Sequence, residues 1–138
     1  MRIERFEDIK AWQEARALAN MVYNAVKNDK VFAIDYRFKA QIQSAAVSIM
    51  SNIAEGFSRR SDKEFIQFLF ISKASAAEVQ SQLYVALDQS YISQESFNGL
   101  YLKTDEVAKL ISGLISYLLQ SKERPKQLDG PKRLNKPN

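Results

Sequence analysis

The stretch SIMSNIAEGFSRRS (residues 48–61) decides the fold, because it contains the end of one predicted helix and the start of the next. Ile49 and Ile53 are four residues apart, which is the spacing of a buried helical face. Gly56 follows where glycine commonly ends a helix, and we predict that it adopts a left-handed conformation there. We therefore expect two long helices on either side of the loop GFSRR.

Four segments of the chain place apolar residues at three- and four-residue steps, which is the pattern of amphipathic helices. They cover residues 7–27, 36–55, 62–89 and 94–121, and no segment alternates as a strand would. The stretch NDKVFAID is expected to break this pattern. Short connections between long helices favour antiparallel neighbours. The sequence predicts an all-α, antiparallel up-down-up-down four-helix bundle over residues 1–121, with a short basic tail over residues 122–138.

Three of the predicted helices begin after a residue that is able to cap them. Asp35 precedes the second helix and Ser93 precedes the fourth. Ser61 and Glu64 have the spacing of a capping box, in which each side chain accepts a hydrogen bond from the backbone of the other residue.

Composition restricts the chemistry that the chain can perform. The 138 residues fit one domain and contain no cysteine and no histidine. Disulfides, thiolate chemistry, the commonest zinc ligands and the usual general base are therefore excluded. The absence of cysteine and of an apolar leader favours a cytoplasmic protein, and we expect no membrane association, no cofactor and no metal.

The positive charge lies at one end of the sequence. Residues 1–121 contain 14 Lys+Arg and 14 Asp+Glu, whereas residues 122–138 contain six Lys+Arg and two Asp+Glu. The net charge of +4 therefore belongs to the tail, which is predicted to be disordered. Such a tail either binds a polyanion or serves only to keep the protein in solution.

The second and third predicted helices carry more apolar surface than a four-helix bundle needs. On the third helix, Ile66, Phe70, Ala77 and Tyr84 form a second stripe beside the stripe that faces the core. Surplus apolar faces usually indicate association, and we predict a homo-oligomer joined through these two helices. A membrane span is less compatible with segments as polar as QIQS, and a monomer with an irregular core is the remaining alternative.

A polar stripe accompanies the apolar one on the second helix. Ser48, Asn52 and Glu55 share one face, and we expect the latter two to be at least partly buried and hydrogen-bonded, either within the chain or across a subunit boundary. Glu55 is expected to pair with Arg59 or Arg60. The stripe lacks the positioned acid, base or nucleophile partners of a catalytic site, so we predict no enzyme activity and no catalytic residues.

Three stretches, RFEDIKAWQEA, QIQSAAVSIMSNIAEGFSRRSDKEFIQFLFIS and SAAEVQSQLYVAL, resemble the 23S ribosomal RNA intervening-sequence protein family. The resemblance implies a four-helix fold, a tendency to form homopentamers and a further similarity to the accessory variability proteins of diversity-generating retroelements. Those proteins associate with a reverse transcriptase and with nucleic acid. Gln43 and Ser44 stand where such proteins often have basic residues. The residues that carry the family signature are Trp12, Gln41, Ser48, Asn52, Glu55 and Gly56.

Two functions follow as hypotheses. The first is a non-enzymatic, oligomeric accessory protein that associates with RNA or DNA without sequence specificity. The second is a structural adaptor whose oligomer docks a partner protein such as a reverse transcriptase. The candidate nucleic-acid contacts are Arg59, Arg60, Lys63, Lys122, Arg124, Lys126, Lys132, Arg133 and Lys136.

Overall fold

A computed structural model of the chain describes residues 3–120. The helices of this region are α1 (Lys10–Lys27), α2 (Lys30–Ile34), α3 (Tyr36–Phe57), α4 (Asp62–Asp88) and α5 (Gln94–Gln120), preceded by a 3-10 turn at Phe6–Asp8. The all-α prediction is confirmed. The predicted tail, with its six candidate contacts, and the last residue of the fourth predicted helix lie outside the described residues.

The four long helices close one bundle. Helix α1 packs against α3 and α5, and α4 packs against the same two helices from the other side. Ser48 of α3 bonds Ser75 of α4, and Gly56 lies against Phe65, so the residue number rises on one helix as it falls on the other. Helices α3 and α4 are therefore antiparallel.

A single apolar core fills the bundle, because each long helix turns one stripe inward. At roughly 25 cal/mol for each Å² removed from water, this burial is the main stabilising term of such a fold. The side chains with no exposed surface include Leu18, Ile49, Ile53, Leu69, Val79, Val107 and Ile111.

The stretch predicted to break the helical pattern contains the short helix α2. The Asp29 carboxylate caps it by accepting hydrogen bonds from the backbone N–H groups of Val31 and Phe32. The prediction is wrong for this segment, since five residues are too few to show a helical period. The helix turns Phe32 into the core.

An aromatic cluster joins this segment to the connection between α4 and α5. The Phe32 ring stacks on Tyr91 and on Phe38, with ring centroids 4.8 and 5.7 Å apart. The Tyr91 hydroxyl donates a 2.6 Å hydrogen bond to Asp35 Oδ2. This hydrogen bond, which only the neutral phenol can donate, raises the pKa of Tyr91.

The start of the first helix also differs from the prediction. The Asp8 carboxylate accepts hydrogen bonds from the backbone N–H groups of Glu4 and Arg5, which favours a tight turn. Ile9 then has extended backbone angles, and α1 begins at Lys10. The predicted start at residue 7 is therefore three residues too early.

The predicted capping residues are confirmed for three helices, but α4 lacks the second bond of the predicted capping box, from the Ser61 N–H to the Glu64 side chain. Asp35 Oδ1 accepts from the Phe38 N–H at the start of α3, and Ser61 Oγ accepts from the Glu64 N–H at the start of α4. Ser93 Oγ accepts from the Ser96 N–H in the same way.

Gly56 does not end its helix, which corrects the prediction. It lies inside α3, which continues to Phe57, and no described glycine has a positive φ. A Cβ atom at this position would lie 2.7 Å from the Phe68 Cβ and 2.8 Å from the Phe65 Cδ1. Glycine is therefore required because α4 passes too close for any side chain.

Within residues 3–120, the residue in the left-handed conformation is a serine at the end of α4. Ser90 has φ 62°, and its N–H donates to the Leu87 carbonyl while the Tyr91 N–H donates to the Ala86 carbonyl. These two bonds form a Schellman motif, in which glycine is the usual residue.

An ion network that the sequence did not predict joins α1 to α5. The Glu14 carboxylate bonds Lys103 of α5 and lies 3.1 Å from Lys10 Nζ. Lys103 also lies 3.4 Å from Glu106. The Lys103 and Lys10 ammonium groups lower the pKa of Glu14, and Glu14 raises the pKa of Lys103.

Candidate functional site

The polar stripe of α3 forms a hydrogen-bonded contact with α4. Asn52 Nδ2 donates to the Ser48 carbonyl at 2.8 Å and to Ser48 Oγ at 2.9 Å. Ser48 Oγ bonds Ser75 Oγ at 2.9 Å, and the buried Ser72 hydroxyl donates to the Ile49 carbonyl. Asn52 is half-buried, as predicted. These bonds set the register between α3 and α4, because a slip by one residue would leave them unpaired.

Glu55 differs from the rest of the stripe. Its side chain is 53% exposed, so the expected burial is wrong within this chain. The reason is that Glu55 lies on the outward arc of α3, beyond the residues that α4 covers. The predicted pairing is confirmed, since Glu55 Oε2 accepts a 2.9 Å hydrogen bond from Arg59 Nη2.

The basic residues of the α3–α4 connection fall into two kinds. The Arg59 guanidinium is held by Glu55 and stacks over the Phe68 ring at 4.7 Å from its centroid. Arg60, and Lys63 in the first turn of α4, are exposed. A phosphate could therefore approach Arg60 and Lys63 directly, whereas Arg59 acts first as a structural link between α3 and α4.

Two other signature residues lie away from this connection. The half-buried Trp12 on α1 meets the Phe6 ring edge-on at 5.1 Å, and the Arg16 guanidinium lies 5.9 Å from its centroid. Trp12 therefore holds the N-terminal 3-10 turn, which contains Phe6, against α1. Gln41 is exposed on α3.

The second apolar stripe predicted on α4 faces outward only in part, because Ile66 is half-buried and packs against the core. Phe70 and Tyr84 are 52% and 51% exposed, Ile71 is 50% exposed, and Ala74 and Ala77 between them are also exposed. We call these five residues the α4 face. Lys63 lies near its start and Asp88 near its end.

The outward side of α3, in contrast to that of α4, has mostly small and uncharged side chains. Residues 40–54 contain no charged side chain, and most outward residues are small, with Val47 as a larger member and with the larger Gln43 and Met50 half-buried beside them. Arg37 and Glu55 lie at the two ends of this uncharged surface. We call it the α3 face, and its members are Ala40, Ser44, Val47 and Ser51.

The partners of the polar stripe are the part of the site that sequence reasoning missed. Ser72, Ser75 and Phe68 come from the neighbouring helix, and the periodic pattern alone does not say which of its residues meets Asn52. The Ser-x-x-Ser spacing on α4 is the signal that could have suggested them.

Two properties of the described part of the chain bear on other functions. Within residues 3–120, no three acidic side chains converge in a way that would hold a metal ion. No helix of the same region has the length and apolar character needed to cross a membrane.

Comparison with known proteins identifies relatives of this fold. The sequence profile of the family described as 23S rRNA-intervening sequence protein matches residues 7–113. The structure is similar to that of a protein with unknown function from the S23 ribosomal protein family of Bacteroides thetaiotaomicron. The two share a TM-score of 0.69 and 23% sequence identity, over 76% of this chain and 97% of that chain. No curated protein matches the chain.

Proposed function

This chain belongs to the 23S rRNA-intervening sequence protein family, and on that premise we propose that it is a non-enzymatic, oligomeric accessory protein that associates with RNA or DNA without sequence specificity. The observation that carries the proposal is the distribution of charge. Residues 1–121 are formally neutral, and the excess of four positive charges lies in residues 122–138. Lysine and arginine side chains neutralise phosphates without reading base edges, which makes such association independent of sequence.

The α3–α4 connection supports a second, smaller contact. Arg60 and Lys63 are exposed there, and Arg59 is held in place by Glu55 and Phe68. The proposal places this role in the cytoplasm, which the absence of cysteine favours.

Self-association completes the proposal. The large apolar side chains Phe70 and Ile71, each about half exposed on α4, are the observation that supports it, because exposed apolar patches often mark association. The resemblance to pentameric relatives implies five copies. Several basic tails on one assembly would add avidity to contacts that are weak individually.

A structural adaptor is the second candidate function. The neutral bundle favours it, since a protein partner would then dock on an oligomer whose folded part has no net charge. The resemblance to the accessory variability proteins makes a reverse transcriptase one such partner.

The experiment compares the full chain with a chain that ends at residue 121. Binding to a single-stranded RNA and to a duplex DNA is measured by fluorescence anisotropy at several salt concentrations. We expect truncation to lower the affinity and the salt dependence, since each neutralised phosphate contributes a slope of about −0.7 to −0.9.

A second pair of variants locates the remaining contacts. Arg60→Ala with Lys63→Ala should weaken binding further, whereas the control Lys27→Ala with Lys109→Ala, at exposed sites on α1 and α5, should not. If the full chain does not bind either nucleic acid at low salt, the adaptor function is favoured instead.

A further inference from the structure

We propose that the corner of the bundle around α2 binds the surface of an anionic lipid bilayer. This contact goes beyond the nucleic-acid association proposed above and gives a role to a part of the folded chain that the association does not use. The corner, which we call the α2 corner, has the apolar members Val31, Ile34 and Tyr36 and the basic members Lys27, Lys30, Arg37 and Lys39.

Three apolar side chains of the α2 corner extend into solvent. Val31, Ile34 and Tyr36 are 60%, 63% and 70% exposed, and among residues 3–120 the only other large apolar side chain as exposed as these is Leu102 on α5. Val31 and Ile34 are three residues apart and so share the outer side of α2, because Phe32 between them is turned into the core. Exposed apolar patches of this kind mark interaction sites with proteins or membranes.

Contacts with the bundle hold the α2 corner in this exposed position. Phe32 fixes α2 to the core, and the Asp29 carboxylate caps the helix. The Lys39 ammonium donates a 3.1 Å hydrogen bond to the Ala33 carbonyl and lies 5.3 Å from the centroid of the Tyr36 ring. The backbone that carries the exposed side chains is therefore already ordered before binding, which lowers the entropic cost of a small contact.

The charges of the α2 corner favour an anionic partner. Residues 27–39 contain four basic residues and two carboxylates. Both carboxylates bond to the chain itself, since Asp29 caps α2 and Asp35 caps α3 and accepts the Tyr91 hydrogen bond. No ion pair of residues 3–120 involves the four basic residues. The other acidic residues of this end, Asp88 and Glu95, lie on α4 and α5, on the opposite side of the bundle.

An apolar centre with a basic rim fits a bilayer surface better than it fits a nucleic acid. Val31 and Ile34 are aliphatic, and a phosphate backbone offers them no apolar surface. At a bilayer they would enter the acyl boundary, Tyr36 would lie at the level of the headgroups, and the lysine and arginine side chains would contact anionic lipid. A projecting corner also suits a flat surface, whereas a partner helix is usually bound in a groove.

The expectation of no membrane association rested on the lack of an apolar leader and of a spanning segment, and a surface contact requires neither. The position of the α2 corner also leaves the proposed nucleic-acid contacts accessible. Helix α3 begins at this corner, and its 22 residues extend for about 33 Å towards the connection that carries Arg60. Helix α5 extends for about 40 Å from the same end to Gln120, which the basic tail follows.

Vesicle sedimentation of the full chain tests the proposal. The probe is vesicles of phosphatidylcholine with about a quarter phosphatidylglycerol, in roughly 0.15 M salt, and vesicles of phosphatidylcholine alone are the neutral comparison. We expect binding to the anionic vesicles and binding at least about tenfold weaker to the neutral ones. The tail is present in every variant, so its own attraction to anionic lipid is common to all of them.

The apolar contribution is measured with a matched pair of variants. Val31→Gln with Ile34→Gln should weaken binding to the anionic vesicles by about tenfold or more, because two aliphatic side chains no longer leave water. Leu102→Gln with Leu119→Gln, at exposed positions on α5, should leave the affinity unchanged. Light scattering should give both variants the mass of the parent. A lower mass for the α2 variant alone would assign the corner to a second copy and overturn the proposal.

The basic contribution is measured in the same way. Lys30→Gln with Arg37→Gln should weaken binding by about tenfold to thirtyfold, since each cation near an anionic surface contributes about fivefold. Lys73→Gln with Lys109→Gln has the same net charge but alters exposed positions on α4 and α5, and it should weaken binding by less than about threefold. Equal losses in the two variants would mean that net charge alone attracts the chain, which would contradict the proposed site.

Fluorescence quenching by lipids brominated on their acyl chains tests insertion directly. The indole added in Tyr36→Trp should be quenched on binding, whereas Trp12 of the parent, in the first turn of α1 at the other end of the bundle, should not. Absence of quenching in Tyr36→Trp would overturn the proposal.

The proposal also fails if the parent does not sediment with anionic vesicles. In that case, a loss of RNA affinity in Lys30→Gln with Arg37→Gln would assign the α2 corner to nucleic acid instead. The vesicle measurements contain no nucleic acid, so their outcome is independent of the nucleic-acid association proposed for the tail.

Discussion

Replacement of Gly56 by alanine tests whether this glycine is required by packing. The added Cβ would lie 2.7 Å from the Phe68 Cβ and 2.8 Å from the Phe65 Cδ1, both closer than carbon atoms approach in proteins. The Phe65 ring can rotate away, but the Phe68 Cβ is fixed to the backbone of α4. Helices α3 and α4 must therefore separate along the surface where the Ser48–Ser75 hydrogen bond is made.

The expected cost follows from two opposing effects. Overpacking of a well-packed contact costs about 1–3 kcal/mol. Alanine is favoured over glycine inside a helix by about 0.5–1 kcal/mol. We expect Gly56→Ala to lower the free energy of unfolding by about 1–2 kcal/mol, which corresponds to a fall of roughly 3–8 °C in the thermal midpoint.

The assay is urea unfolding followed by circular dichroism, at one protein concentration for all variants because association would contribute to stability. Gly113→Ala on α5 is the matched control, since its Cβ would meet no atom within 4 Å. It should raise stability by about 0.5–1 kcal/mol through helix propensity alone. If Gly56→Ala is as stable as Gly113→Ala, the close approach of α4 is not what requires glycine.

Three further outcomes are expected. Ser90→Gly should raise the free energy of unfolding by about 0.5–1 kcal/mol in urea, because glycine adopts positive φ without steric cost; a loss of stability would mean that the serine side chain makes an essential contact. Asn52→Leu should lower it by about 1 kcal/mol, whereas Asn20→Leu at an exposed site on α1 should not, and equal effects would contradict the role given to the Asn52 hydrogen bonds. The pKa of Glu14 is lowered in the folded state, so its stabilisation is present above the ordinary carboxyl pKa and is lost as the pH falls through the lowered value. Acidification from pH 7 to pH 3 should therefore destabilise the parent more than Glu14→Gln, and parallel losses would refute this assignment.

Helical periodicity is enough to predict the four long helices, because each turns one apolar stripe to the core over many turns. It does not predict α2, since a helix of five residues depends on the Asp29 cap and on the fit of Phe32 in the core. Gly56 shows a second limit. A glycine near a helix end suggests a left-handed residue by local rules. At position 56, however, glycine is required because α4 passes close to the backbone of α3.

In the candidate site, the sequence predicts contacts between residues of one helix but not the contacts between two helices. Ser48 and Asn52 were identified from their spacing on one helix, and the pairing of Glu55 with Arg59 follows from its four-residue step. The partners on α4 depend on the level at which two helices meet. The sequence of a single chain does not determine how far one helix is shifted along another. The contacts of Ser72 and Ser75 with α3 are therefore seen only in the structure.

The short connection between α3 and α4 has a consequence for the route by which the chain folds. Only residues 58–61 separate the two helices, so bringing them together costs little loop-closure entropy. The contact between α1 and α5 joins residues such as Glu14 and Lys103, which are 89 positions apart. Local contacts form faster than distant ones. In pulse-labelled hydrogen exchange during refolding, the amides of α3 and α4 should therefore gain protection first, and the closure of α1 against α5 should limit the rate.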